Sequence, residues 1–185
     1  MANLTINNVR ISYANLTTPK APMSGGAPVY SCVILLPKSD AVAKKALDEA
    51  VEQAKQFGAS SKWGGKVPGF LNIPIHDGDG QKPRGGEYGE ECRGMWVINA
   101  KANLDHPPFI VDGRLQPILN PADVYSGMWA NVSLSLYPFA ASGNNGVGVG
   151  INGLQKTRDD APLGGGVVTA EMAFGVIDEN GNFGI

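Results

Sequence analysis

A chain of 185 residues, 43% hydrophobic and 17% charged, can bury one domain with sizeable loops and is short for two. It has no run near the ~20 apolar residues of a membrane span and no export signal in MANLTINNVRISY. Cys32 and Cys92 are too few and too far apart for a disulfide framework or a zinc site, so an intracellular protein with reduced thiols is expected. The net charge of −2 hides an asymmetry, because residues 159–185 hold Asp159, Asp160, Glu171, Asp178 and Glu179 and no Lys or Arg. The remainder carries fifteen basic against twelve acidic residues, a balance of +3, so an acidic tail follows a mildly basic body. Such a tail can compete with DNA for one groove, or be a chance cluster of five carboxylates.

In chain order, Leu4 to Tyr13 has strand character, with a phase slip at Asn7-Asn8 that predicts a bulge or bend. The Pro/Gly/Ser-rich loop Thr17 to Pro28 follows, then the nearly all-apolar strand Val29 to Leu36, ended by Pro37. Ser39 is placed to cap a helix running to about Phe57, with Val42, Ala43, Ala46, Leu47, Ala50, Val51 and Ala54 as its apolar stripe and Gly58 as its stop. Residues 58–93 read as a long, weakly structured region, a length that usually signals function or mobility. Gly94 to Lys101 is the next strand, and Phe109 to Val111 a short one before the turn at Asp112-Gly113. A long strand, Gly127 to Phe139, then meets Val147 to about Lys156 across the turn Gly143-Asn144-Asn145-Gly146, forming a hairpin. Twenty-five glycines, thirteen prolines and five or so strands favour a mainly β fold. The expectation is an OB-like five-stranded Greek-key barrel with one helix after the second strand, long loops and a protruding hairpin.

The strand Gly127 to Phe139 has two unlike faces. Met128, Ala130, Val132, Leu134 and Leu136 make a continuous apolar face, because side chains alternate across a strand. Trp129, Asn131, Ser133, Ser135, Tyr137 and Phe139 make the other, with three aromatics among short polar groups. A half-wet strand with spaced rings suits the stacking of unpaired bases. Cross-strand packing or a subunit contact would use the same residues.

Gly148-Val149-Gly150-Ile151-Asn152-Gly153 spells the dinucleotide-binding GxGxxG pattern, but a polar turn precedes it and no helical stripe follows. Its glycines alternate with Val147, Val149 and Ile151, as in a strand with one bare face that lets a backbone or a base lie close. His76-Asp77-Gly78-Asp79-Gly80 lacks the further oxygen ligands of a calcium loop and reads as a turn. No nucleophile–base set is visible. What remains is cations interleaved with rings. Arg93 and Lys101 flank Trp96, Lys156 and Arg158 end the last strand, Arg114 sits in a turn, and Lys62 and Lys66 straddle Trp63. Cations for phosphates and rings for bases are the ingredients of sequence-tolerant single-strand binding. The expected phosphate contacts are Arg93, Lys101, Lys156 and Arg158. The expected stacking residues are Trp96, Trp129, Tyr137 and Phe139, although Ile98 and Ala100 beside Trp96 would suit a buried face.

Four blocks carry a resemblance: VYSCVILLPK (29–38) leading into the Ala-rich helix, GMWVINAK (94–101), VYSGMWANVSLSLYPF (124–139), and residues 145–165 with GVGVGINGLQKTRDDAPLGG. In order and wording they resemble a family of bacteriophage single-stranded DNA-binding proteins with an OB fold, once known only as a domain of unknown function. The resemblance implies non-catalytic coating of single-stranded DNA in phage replication or recombination, in the cytoplasm of the infected bacterial host and without cofactor or metal. It also implies an acidic C-terminal tail that modulates DNA binding and recruits replication or recombination proteins. Here the tail is weakly acidic and ends in Phe183-Gly184-Ile185. The expected organisation is a binding domain over 1–165 and a tail over 166–185, with self-association left open. The alternative is a phage structural or assembly protein whose aromatic barrel face meets another subunit.

Overall fold

Strands with apolar side chains on one face bury that face by curling around it, and here the curl closes. The computed structural model describes residues 2–163. Its elements are β1 (Ala2–Lys20), β2 (Val29–Pro37), α1 (Ala41–Ser61), β3 (Ile75–Asp77), β4 (Met95–Ala102), β5 (Phe109–Val111), β6 (Trp129–Ala141) and β7 (Asn144–Arg158). The sheet order is β3-β4-β2-β1-β6-β7-β5, and β4 also pairs in parallel with β7 through Lys101 and Gly150. That last pairing closes β1, β2, β4, β7 and β6 into the expected five-stranded OB-like barrel, with β3 and β5 as short edge additions.

The predicted inner face of β6 is the core: Met128, Ala130, Val132, Leu134 and Leu136 are all buried, beside Ile34, Leu36, Ile98 and Leu154 from the other strands. Helix α1 lies against β1 and β6, burying Leu47, Ala50, Val51 and Ala54. Burying a side chain such as Leu47 or Val51 contributes roughly 1.5–3 kcal/mol. Asp40, not Ser39, caps the helix, its carboxylate accepting from the Ala43 N–H at 2.9 Å. Gly58 does not stop it. A β-carbon there would come within 2.6 Å of the Trp63 ring and 2.7 Å of Pro138, so this glycine admits the chain that packs on the helix end.

Strand β1 runs on to Lys20, taking the first four residues of the expected Thr17 to Pro28 loop, and its predicted irregularity is a register shift between Ile6 and Val9 on β6, with Asn8 at φ 55°. Residues 58–93 include β3, a short 3-10 turn at Glu90–Cys92, and a small hairpin closed by the bridge from Gln81 to Glu87. The Asp77 and Asp79 carboxylates clasp the Lys38 ammonium, each at 2.6 Å, so that turn is a lysine clamp. The β6–β7 turn is tighter than expected: the strands pair out to Ala141 and Asn144, and Ser142 and Gly143 take positive φ as a two-residue hairpin loop requires. Among the described residues no helix is long and apolar enough to cross a membrane. The expected tail over 166–185 lies outside the described residues.

Candidate nucleic-acid interface

Near the β6–β7 turn, Val147, Val149 and Ile151 point into the core, which leaves Gly146, Gly148 and Gly150 on the outer face of β7. The register sets Phe139 opposite Gly146, Tyr137 opposite Gly148 and Ser135 opposite Gly150. The rings occupy the room that the missing side chains release. A β-carbon on Gly148 would stand 2.6 Å from the Tyr137 ring, and one on Gly146 would stand 2.8 Å from the tip of Phe139. Farther along β7, Phe109 of β5 lies over Gly153 in the same way. These glycines are therefore not bare. They hold the rings against the sheet with outer faces exposed, 38% for Tyr137 and 56% for Phe109, while Phe139 is half-buried. Gly150 alone has no neighbour nearer than 3.5 Å.

Lys101 of β4 pairs with Gly150, exposes its side chain beside Tyr137, and forms no ion pair among the described residues. Two concavities of about 410 and 630 Å³ share Lys101 and Tyr137 and together make one groove. Asn72 and Asn99 border the first, His106 and Asn152 the second. Burial pushes the Tyr137 hydroxyl pKa up, so it stays a neutral donor near pH 7. Exposed rings, an ammonium without an ion-pair partner among the described residues and amides at the rim can stack bases, hold phosphate and bond base edges.

The opposite end of the same hairpin uses similar side chains differently. Trp129 is 9% exposed, its indole N–H donates to Asp160 at 2.8 Å, and the Arg158 guanidinium lies 4.3 Å from its ring centroid. Lys156 lies over Tyr125, donates to the Asp123 carbonyl at 2.8 Å and pairs with Asp159 at 2.7 Å. The Arg10 guanidinium reaches the Ala161 carbonyl at 2.7 Å, and the Leu163 N–H reaches Ser126 at 2.8 Å. Residues 159–163 thus fold back over the barrel end. The Lys156 ammonium, then the Tyr125 hydroxyl, holds the Asp159 carboxyl below its ordinary range; the Trp129 indole N–H does most of the same for Asp160. The expectation that Trp129 offers an open ring is corrected here, because a cation covers it and a carboxylate pins it. Lys156 and Arg158 are committed to the same lock. Two of the five carboxylates assigned to the C-terminal charge excess are likewise structural.

Trp96 faces the helix side of the barrel, packed against the core, with the Lys44 and Lys38 ammoniums 4.5 and 4.9 Å from its centroid. This is the buried-face reading that Ile98 and Ala100 suggested. Arg93 is exposed beside Asp79 and Glu87, apart from the groove. Of the eight expected residues, the fold gathers Lys101, Tyr137 and Phe139. Sequence reasoning missed Asn99 and His106 on the groove, and Phe109 over Gly153 beyond it. The available signal was the run of alternate glycines, whose empty face asks for rings from the paired strands.

A family model described as the Enterobacter phage Enc34 ssDNA-binding protein matches residues 2–183. The single-stranded DNA-binding protein from bacteriophage Enc34, solved in complex with ssDNA, is 28% identical with a TM-score of 0.73, over 88% of this chain and 90% of that one. Protein p50 of Acyrthosiphon pisum secondary endosymbiont phage 1 is 27% identical over 91% of this chain and 90% of its own. The gp2.5 single-stranded DNA-binding protein of bacteriophage T7, at 14% identity and a TM-score of 0.59 over 86% of this chain and 93% of its own, shares the fold. With the match running through every barrel strand and both faces of the hairpin, this chain belongs to the family of the Enc34 phage ssDNA-binding protein.

Proposed function

We propose that this protein binds single-stranded DNA with little sequence preference, and that it coats and protects it during phage replication or recombination. The observation that carries this reading is the groove itself: Tyr137 and Phe139 held against a glycine floor, with Phe109 over Gly153 farther along β7, and Lys101, which forms no ion pair among the described residues, beside Tyr137. Rings stack on any unpaired base, and a lone ammonium reads phosphate without reading sequence. The Enc34 relative solved with ssDNA supports the same ligand. The role is non-catalytic: the groove binds and releases its strand unchanged, in the cytoplasm of the infected bacterial host. Tail contacts to replication or recombination proteins and self-association along DNA extend this reading. A phage assembly role is disfavoured, since the matching family model and the solved Enc34 relative are single-stranded DNA-binding proteins.

The test is a salt titration of binding to a fluorescent oligothymidylate, with unlabelled duplex as competitor. Retention of most of the bound oligonucleotide against excess duplex, with affinity falling as salt rises, is expected. Equal affinity for duplex would reduce the site to a generic charge effect.

A further inference from the structure

Residues 63–77, part of the region expected from sequence to be weakly structured, are tied in turn to three strands of the groove. The first tie is to β6. Strand β1 pairs with β6 only as far as Leu136, opposite Ala2, whereas β7 pairs with it out to Ala141. Among the described residues, Tyr137 to Ala141 therefore overhang with a strand on one edge alone, and Pro138, which has no N–H to satisfy, suits that open edge. Trp63 reaches the overhang from the end of α1. Its ring and Pro138 both crowd Gly58, and its indole N–H donates to the Phe139 carbonyl at 3.2 Å. Trp63 is itself fixed, because its backbone N–H and that of Lys62 donate to the Gly58 carbonyl at 2.9 and 2.8 Å.

The second tie is to β7. The Asn72 N–H donates to the Asn145 carbonyl at 2.9 Å, and the Asn72 carbonyl accepts from the Val147 N–H at 3.0 Å. These bonds bracket Gly146, the glycine under Phe139. A β-carbon on Gly146 would stand 2.5 Å from the Asn72 carbonyl oxygen as well as 2.8 Å from the Phe139 ring, so the segment and the ring meet over one residue. The third tie is to β4, where Ile75 pairs with Ile98 and His76 with Val97. Among the described residues β4 and β7 pair with each other only at Lys101 and Gly150, and Asn72, Ile73 and Pro74 cross the gap between them along the groove wall.

We infer that residues 63–77 are a brace that sets the spacing of the stacking rings and Lys101, with Trp63 as its positioning residue. Trp63 does not line the groove and acts through the Phe139 carbonyl. A strand overhang held by one neighbour would have to be ordered each time DNA binds, and a brace removes that cost beforehand. The inference rests on the proposed single-strand binding, so its test must separate the two.

Trp63→Phe keeps an apolar ring and deletes the donor to Phe139. The full-chain parent, Trp63→Phe, Phe139→Ala and the double variant would be titrated with fluorescent oligothymidylate, at a temperature where thermal melts show all four folded. Trp63→Phe should bind about 2- to 10-fold more weakly than the parent, the range one neutral hydrogen bond is worth. In the Phe139→Ala background the same change should cost little more, because the ring it positions is gone. In the free variant the Phe139 ring resonances of an aromatic NMR spectrum should move while those of Trp129 hold. A merely structural Trp63 would lower the melt and leave affinity and those resonances at parental values. If Trp63→Phe does not fold, Gly146→Ala decides: it keeps Trp63, forces Asn72 off β7, and should show the same non-additivity with Phe139→Ala. Parental affinity in the deciding variant, or an equal loss with and without the Phe139 ring, would overturn the brace and leave the function standing. Absence of single-strand binding by the parent would overturn both.

Discussion

At the turn end of the β6–β7 hairpin, Tyr137 and Phe139 rest on glycines with an uncommitted lysine beside them; at the far end, up to about 26 Å along β6, Trp129 rests under Arg158 with its indole tied to Asp160. Both ends have rings and cations on the outer face. Carboxylates make the difference. Asp159 and Asp160 fold back on the far end and satisfy the charges there, whereas no described carboxylate pairs with Lys101. Aromatic and basic composition is therefore shared by two ends that differ in what those groups already contact. The proposed surface is the end where no described carboxylate meets the cation and the Tyr137 ring keeps an open face.

Truncating one ring at each end separates the two most strongly. Trp129→Ala removes a buried ring with two partners and should destabilise folding by about 3–5 kcal/mol, measured by denaturant titration. The fraction that remains folded should bind oligothymidylate with parental affinity. Tyr137→Ala should do the reverse, with stability nearly kept and binding weakened by about 1–3 kcal/mol. If both variants lose affinity alike, the locked end also contacts DNA.

A smaller effect separates the lysines. Lys101→Gln should lower the slope of log affinity against log salt by roughly 0.7, whereas Lys156→Gln should leave it unchanged, because that ammonium already belongs to Asp159. The smallest effect is on pH. The folded pKa values of Asp159 and Asp160 lie below the ordinary 3.8. Their contribution to stability is therefore present above that value and lost as pH falls through the folded pKa. The difference in melting temperature between parent and Asp160→Asn should accordingly shrink from pH 6 to pH 3. A difference that stays constant would mean that the Asp160 charge contributes nothing to the lock.

Much of this architecture is legible in local pattern. The alternation from Met128 to Leu136 predicts the buried face of β6, the slip at Asn7-Asn8 predicts the bend of β1, and the alternate glycines predict an outer face open to close approach. The partners across long sequence separations are not legible. Whether Trp129 is open or locked depends on Asp160, 31 residues away, and whether the glycines are bare depends on a register that places Tyr137 and Phe139 upon them. Trp96 shows the same limit, since its strand phase suggested burial but not the two lysines of the β2–α1 region that cover it. Local alternation sorts side chains into faces, and only closure of the barrel decides which outward ring meets a charge.

The aromatic carbon–proton NMR spectrum of the full chain, titrated with oligothymidylate, tells which end of the hairpin meets DNA. Ring resonances of both hairpin ends appear together, and a base stacking on a ring shifts its protons. The Tyr137 and Phe139 resonances should move to saturation while those of Trp129 hold their positions. Movement of Trp129 with Tyr137 and Phe139 unmoved would place the DNA at the locked end instead.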